Sequence, residues 1–258
     1  MPVDAMLTPA PNVDVVEALA LLKQSDSVEL KVTVQESDQR SAIMALGMDV
    51  LDAEFRQVVF FDTPDLKLNS SGLVVRARRV RGRGDSVIKI RPVVPEQLSS
   101  KLRQSGSFAV ELDAMPGTFV CSGSLKAKAD NSDVQLVLQG KRPVRKLFSD
   151  EQRAFYKKYA PKGLDLDRLT PFGPINVAKL KFTPTQFARP LVVEAWFYPD
   201  ASRLLELSAK CAPNEAFHVL AELKAFLKQR GISITGKQDT KTRKALHHFA
   251  ELHNGRPK

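Results

Sequence analysis

The stretch FFDTPDLKLNSSGLVVRARR, residues 60–79, sets two aromatics and Asp62 before a turn-rich segment ending at Gly72, then a β-branched run carrying Arg76 and Arg78. A strand alternates its side chains between two faces and rises about 3.3 Å per residue, so the two guanidiniums share one face about 6.6 Å apart. That spacing suits adjacent phosphates. The face opposite them is apolar and wants a core.

Outward from this stretch the pattern repeats. EFRQVVFFDT (54–63) reads as the preceding strand, RGRGD (81–85) as a hairpin turn, and SVIKIRPV (86–93) as the partner strand, with Lys89 and Arg91 among Val87, Ile88 and Ile90. Upstream, SVELKVTV (27–34) alternates Val28, Leu30, Val32 and Val34 with Glu29, Lys31 and Thr33. SFAVELDAM (107–115) is a strand carrying Glu111 and Asp113. INVAKLKFT (175–183), PLVVEAWFYP (190–199) and RLLELSAK (203–210) add three more, bearing Lys179 and Lys181, then Glu194, then Glu206 and Lys210.

Helices are expected between and after the strands. VDVVEALALLKQ (13–24) has helical spacing, and residues 36–48 form a helix ending near Gly47. SDEQRAFYKKYA (149–160) carries a capping box in Ser149 and Gln152. Residues 214–231 form a helix with Asn214 as cap and Gly231 as stop, and a last helix runs from about Asp239 to Leu252. DVQLVLQGKR (133–142) fits either strand or helix. His247 and His248, adjacent and so not on one face of the last helix, are both expected to be exposed, and Trp196 is expected in the core, or else at a channel mouth stacking on a ring.

The chain has 258 residues, 43% of them apolar, with 39 Lys+Arg against 29 Asp+Glu and a net charge of +10. Such a balance points to a polyanionic partner: nucleic acid, polyphosphate, nucleotide or an anionic membrane surface. Cys121 and Cys211 form no metal-binding spacing, which argues against a zinc site or a disulfide scaffold. Residues 1–11 read as a loose Pro-rich tail, with no secretory leader pattern and no run of about 20 apolar residues, so a cytoplasmic protein is expected.

The charged faces could simply be the solvated side of a half-exposed antiparallel sheet. Closing the sheet into a barrel instead turns them inward, into a polar tunnel. Cations gathered there need a counter-charge, which a triphosphate supplies through bidentate guanidinium contacts. Carboxylates in the same lumen need a divalent metal between them and the phosphates, which makes Glu29, Glu194 and Glu206 coherent ligands for Mg²⁺ or Mn²⁺.

In their order, VELKV (28–32), FFDTPDLKL (60–68), GLVVRARRV (72–80) and SVIKIRP (86–92) resemble the CYTH domain of the triphosphate tunnel metalloenzyme superfamily. The similarity continues more weakly through LVVEAWFYPD, LLELSAK and QDTKTRKAL, over roughly residues 27–246. The resemblance implies an α+β fold: an eight-stranded antiparallel β-barrel with helices packed outside. It makes residues 1–26 a tail with a short helix, 27–252 a single tunnel domain, and 253–258 a C-terminal tail.

By position, Lys31 matches the lysine ending the family's E-x-E-x-K signature and Glu29 its second glutamate. Lys31 then orients the attacked phosphate or, with its pKa lowered by neighbouring cations, helps activate water. Arg76, Arg78 and Lys89 match phosphate-binding cations, joined by Arg91, Lys179, Lys181, Lys210 and Lys241, with Lys237 also within reach of the tunnel mouth. Glu194 falls where a metal-binding acid is expected, and Glu206 beside it. The chain departs from the pattern at Ser27, where the signature has its first glutamate, and at Trp196, where another acid is frequent; Glu206, Glu111 or Asp113 are the candidate substitutes.

The expected function is metal-dependent hydrolysis of a triphosphate-containing substrate, whether inorganic, nucleoside or thiamine triphosphate. The alternatives are a non-catalytic polyphosphate- or nucleotide-binding module, which Ser27 favours, and a class IV type adenylyl cyclase. A small-molecule triphosphate or polyphosphate is the expected partner, ahead of nucleic acid and without a membrane.

Overall fold

The computed structural model describes residues 15–234, 238 and 240–255. The expectations for residues 1–11, for Lys237 and for a helix start at Asp239 lie outside the described residues. The first half contains α1 (Val15–Gln24), β1 (Ser27–Val34), α2 (Gln39–Leu46), β2 (Glu54–Asp62), α3 (Lys67–Ser70), β3 (Leu73–Val80), β4 (Arg83–Ile90), α4 (Ser100–Arg103) and β5 (Phe108–Met115). The second half contains β6 (Thr118–Asp130), α5 (Asn131–Leu138), α6 (Asp150–Tyr159), β7 (Thr170–Phe182), β8 (Leu191–Phe197), β9 (Arg203–Cys211), α7 (Ala216–Gln229) and α8 (Lys241–His253). No described helix is long and apolar enough to cross a membrane.

The strands close into one barrel in the order β1-β5-β6-β4-β3-β2-β7-β8-β9, and β9 pairs back onto β1. This corrects the expected eight-stranded antiparallel barrel. There are nine strands in the ring, and β1 runs parallel to β5, Ser27 beside Glu111 and Glu29 beside Asp113. The additional strand is β6, whose Ser122, Gly123 and Ser124 hide it from any reading based on β-branched residues. Glycine is needed there because a Cβ on Gly123 would stand 2.7 Å from the Phe108 ring packed across from it. A hairpin of β5 and β6 fills the gap between β1 and β4, and its first strand meets β1 head to head.

Alternation along each strand separates two environments. Val28, Leu30 and Val32 of β1, Leu73, Val75 and Ala77 of β3, and Leu205, Leu207 and Ala209 of β9 are all buried in one cluster with Phe155 and Tyr156 of α6 and Leu223 and Phe226 of α7. Each such valine, leucine or phenylalanine contributes about 1.5–3 kcal/mol on burial, so the helices coat the outside of the ring. The capping box of α6 does a second job: Gln152 accepts from the Ser86 hydroxyl (2.8 Å) and donates to the carbonyls of Ser86 and Leu125 (both 3.0 Å), tying α6 to β4 and β6.

Asp62 explains the start of the deciding stretch. Its buried carboxylate accepts backbone N–H bonds from Thr63 (2.7 Å), Leu68 (2.9 Å) and Asn69 (2.9 Å), which folds residues 63–69 back so that β3 can return beside β2. Gly72 opens that strand at φ +73°, and a Cβ there would lie 2.2 Å from the Arg91 carbonyl. Residues 133–138 are helical, within α5, which Asp130 caps. Asn214 does not cap α7: a 3-10 turn over Pro213–Glu215 leads into the helix instead, while Gly231 ends it at φ +68° as expected.

The inner faces of the strands split lengthwise. At one end Val58, Phe60, Val74, Phe172, Ile175, Val177, Trp196 and Leu204 form an apolar layer, onto which α8 sets Ala245, Leu246, Phe249 and Ala250. Phe172 stacks on Phe249 (6.2 Å between centroids) and on His253 (5.3 Å). The helix therefore stoppers that end of the barrel. His248 is correspondingly enclosed, contrary to expectation, packed against Tyr198 and Phe249 with Asp200 3.6 Å away, while His247 stays exposed.

Candidate functional site

Past the stopper the lumen is charged, and the strand register dictates which residues meet. Glu29 lies across from Lys210, Lys31 from Ser208 and Thr33 from Glu206 on the β1–β9 ladder. Glu194 faces Glu206 on one side and Lys179 on the other. Arg76 and Arg78 stand between Phe60 and Val58 of β2 and Val87 and Asp85 of β4. The charged faces thus converge on one interior.

Three groupings result. The first centres on Asp113, whose two oxygens take Lys31 (2.6 Å) and Lys89 (2.8 Å), while Lys31 also reaches Glu29 (2.8 Å). Lys210 pairs with Glu111 at 2.7 Å. Carboxylate oxygens of Glu29, Glu111 and Asp113 all come within 4.8 Å of one another. Burial would raise Asp113, but Lys31 and Lys89 outweigh it and hold its carboxyl well below the usual range.

Lys31 departs from the expectation of a lowered pKa. Burial pulls it down, yet Asp113, Glu29 and Glu206 together raise it well above the ordinary lysine value, so it is firmly protonated. Lys89 is the amine that moves the other way, lowered by burial more than Asp113 restores it.

The second grouping lies nearer the stopper. Lys241, from the first turn of α8, places its ammonium 2.6 Å from Glu194 and 2.8 Å from Glu206. Trp196 donates its indole N–H to Glu194 at 3.2 Å, and Lys179 stands 3.8 Å from the same carboxylate. Trp196 is 2% exposed, which makes it core packing and not a mouth platform.

The third grouping is the pair of arginines that opened the sequence reading. Arg78 is spoken for, with Nε 2.8 and 3.0 Å from the oxygens of Asp85 and Nη2 2.8 Å from Oδ2. Arg76 is not. Its Nε is buried without a hydrogen-bond partner, and no described carboxylate forms an ion pair with it. Burial and the neighbouring Arg78 pull its pKa down to about 10. Arg56, on the same inner face of β2, pairs with Glu54 and likewise leaves its Nε without a partner.

Of the predicted residues, Glu29, Lys31, Lys89, Arg76, Arg78, Lys179, Glu194, Glu206 and Lys241 have their side chains in this interior, and Arg91 follows β4 into it, its pKa lowered by burial. Lys181 and Lys210 lie exposed at the end of the barrel opposite the stopper. Sequence reasoning missed Arg56 and Asp85. The first was legible in the alternation Glu54, Arg56, Val58, Phe60, whereas the second was read as part of the RGRGD turn.

Hard oxygen donors within 4.8 Å of one another are what Mg²⁺ or Mn²⁺ takes, so Glu29, Glu111 and Asp113 fit such an ion chemically, with Lys31, Lys89 and Lys210 sharing their oxygens. No protein-family model matches the chain, and no curated protein matches it in sequence. Among solved structures it is similar to a candidate adenylate cyclase from Bacillus halodurans, at 14% identity and a TM-score of 0.59, covering 85% of this chain and 97% of that one. It is also similar to a candidate adenylyl cyclase from Hippeastrum described as having a dominant triphosphatase activity, at 18% identity and a TM-score of 0.58, covering 89% of this chain and 96% of that one. At these identities the likeness is one of fold alone.

Proposed function

We propose that the lumen binds the phosphate chain of a triphosphate-containing substrate and hydrolyses it with the help of Mg²⁺ or Mn²⁺. The observation that carries this reading is Arg76: a half-buried guanidinium beside two others, its Nε buried and without a partner and no described carboxylate paired with it, is a charge waiting for an anion. Phosphate oxygens match its planar fork. The triphosphatase description of the Hippeastrum protein, similar in fold, supports the same class of substrate.

In this reading the substrate enters from the mouth marked by Lys181 and Lys210, since α8 and the apolar layer occupy the other end. Arg76, Arg78 and Arg56 hold the phosphate oxygens, and Arg91, Lys179 and Lys89 neutralise charge as it builds on the leaving phosphate. Lys31, permanently charged, orients the attacked phosphoryl group and does not serve as base. Lys89, whose proton is held less tightly, is placed to donate it to the departing oxygen. A divalent ion held by Glu29, Glu111 and Asp113 would add charge neutralisation that no side chain can match. Phosphoryl transfer asks for little else than such positioning and electrostatics.

Phosphate release measured over inorganic triphosphate, thiamine triphosphate, ATP and long-chain polyphosphate, each with Mg²⁺, Mn²⁺ and chelator, tests the proposal. Metal-dependent release from at least one triphosphate is expected, and its absence across the panel removes the hydrolase reading. The description of the Bacillus halodurans neighbour favours cyclisation of ATP as a second reading. Cyclic AMP with pyrophosphate, in place of phosphate, is its signature.

A further inference from the structure

Glu194 and Glu206 face each other directly across the β8–β9 ladder, a like-charged pair that would be strongly unfavourable in a buried place without a cation between them. The chain supplies that cation itself. Lys241 contacts both carboxylates, lies over the Trp196 ring at 5.6 Å, and is 17% exposed. Its own carbonyl accepts the Tyr198 hydroxyl at 3.2 Å. The Glu194 oxygen that takes the ammonium, Oε2, also takes the Trp196 indole, so its acceptor sites are filled twice.

We propose that Lys241 is a resident cation: its ammonium, carried in on α8, occupies the position between Glu194 and Glu206, and the lumen takes a divalent ion only on the Glu29, Glu111 and Asp113 side. The inference concerns where metal is excluded, and for the single wild-type ion it rests on the metal reading given above. Two features hold the lysine in place against a competing ion. The rest of α8 is anchored through Ala245, Leu246 and Phe249, so withdrawing Lys241 means prising the first turn off the barrel. Mg²⁺ also gives up its water reluctantly, whereas the ammonium is already desolvated and paired. Burial opposes the charge on Lys241, but Glu194 and Glu206 outweigh it and keep the amine protonated. On the other side Lys31 and Lys89, 12% and 20% exposed, also hold Glu29 and Asp113, so an ion there depends on Glu111, whose lysine, Lys210, is 58% exposed and free to swing away.

The test counts Mn²⁺ by electron paramagnetic resonance and calorimetry in the wild type, Lys241→Met, Lys241→Arg and Glu194→Gln. One ion is expected in the wild type, one more in Lys241→Met than in the wild type, and no gain in Lys241→Arg. Glu194→Gln in the wild-type background should leave Mn²⁺ affinity unchanged within about threefold. Mn²⁺ should also raise the melting temperature of Lys241→Met more than that of the wild type. The inference is overturned by two ions in the wild type, by loss of the first ion in Glu194→Gln, or by a folded Lys241→Met that gains no site. A wild type that binds none while Lys241→Met binds one would instead sink the Glu29, Glu111 and Asp113 assignment and uphold the exclusion by Lys241. Should Lys241→Met not fold even with Mn²⁺, the wild-type count and Glu194→Gln decide.

Discussion

Ser27 on β1 lies directly beside Glu111 on the parallel strand β5, its hydroxyl 3.5 Å from that carboxylate. By the sequence resemblance the serine falls where the E-x-E-x-K signature has its first acid, and the neighbouring strand offers an acid at the same level of the barrel. Parallel pairing is what brings Glu111 and Asp113 level with Ser27 and Glu29. A glutamate at position 27 would therefore crowd a carboxylate already present. Ser27→Glu is expected to leave metal affinity and turnover within about threefold of wild type, whereas Glu111→Gln lowers Mn²⁺ affinity tenfold or more, about 1.4 kcal/mol. Calorimetric titration checks both, and a large gain in Ser27→Glu would mean that Glu111 does not replace the missing acid.

Arg76 should give effects of opposite sign with and without ligand. Empty, its guanidinium has a buried Nε without a partner and pairs with no described carboxylate, so Arg76→Met removes an unpaired charge and is expected to stabilise the protein by about 1–3 kcal/mol. Filled, the wild type gains about 2.7 kcal/mol from tripolyphosphate at a hundred times its dissociation constant, and the variant loses most of that gain. Thermal melts with and without tripolyphosphate read both numbers. A variant less stable when empty, or still shifted by the ligand, contradicts the role given to Arg76.

Period-two alternation revealed eight of the strands because one face of each is rich in Val, Ile and Leu, and the charges on the other face follow automatically. It could not reveal β6, where Gly123 makes room for Phe108 between Ser122 and Ser124. Nor could it tell that β1 pairs with β5 in parallel, since a hairpin fitted into a ring leaves no local mark. The cations were legible as a set, yet their pairing was not: Asp113 takes two lysines and Arg76 takes no described acid because of register across strands far apart in sequence. The expectation for Lys31 fails for the same reason: Asp113 of β5 and Glu206 of β9, with Glu29 beside it on β1, hold its proton against the cations gathered in the lumen.

Acid should unfold the protein through Asp113 and Glu194. Both carboxyls are held below their ordinary values by lysines, so their contribution is complete above the unfolded value of 3.8 for Asp113 and 4.5 for Glu194 and is lost as pH falls through the lower folded values. Stability is thus expected to be flat in this respect from pH 7 to about 5 and to fall steeply below about 4. Asp113→Asn leaves Lys89 without its carboxylate and Lys31 with Glu29 alone, costing about 3–5 kcal/mol at neutral pH, and should flatten the acid limb. Urea melts from pH 3 to 7 provide the comparison; an unchanged acid limb in Asp113→Asn would remove Asp113 as its source.

The α8 stopper should matter to the fold more than to the phosphate grip. Phe249 packs its ring against Phe172 in the apolar layer, well away along the helix from Lys241 and on the far side of that layer from Arg76. Truncating a buried phenylalanine costs about 3–5 kcal/mol, so Phe249→Ala should lower the denaturant midpoint markedly. If the phosphate chain enters from the opposite mouth, the same variant should bind tripolyphosphate with an affinity within about threefold of wild type, once assayed where it is folded. A dissociation constant raised tenfold or more in Phe249→Ala would mean that the ligand reaches the stopper, and the barrel would then be read as a passage used along its whole length.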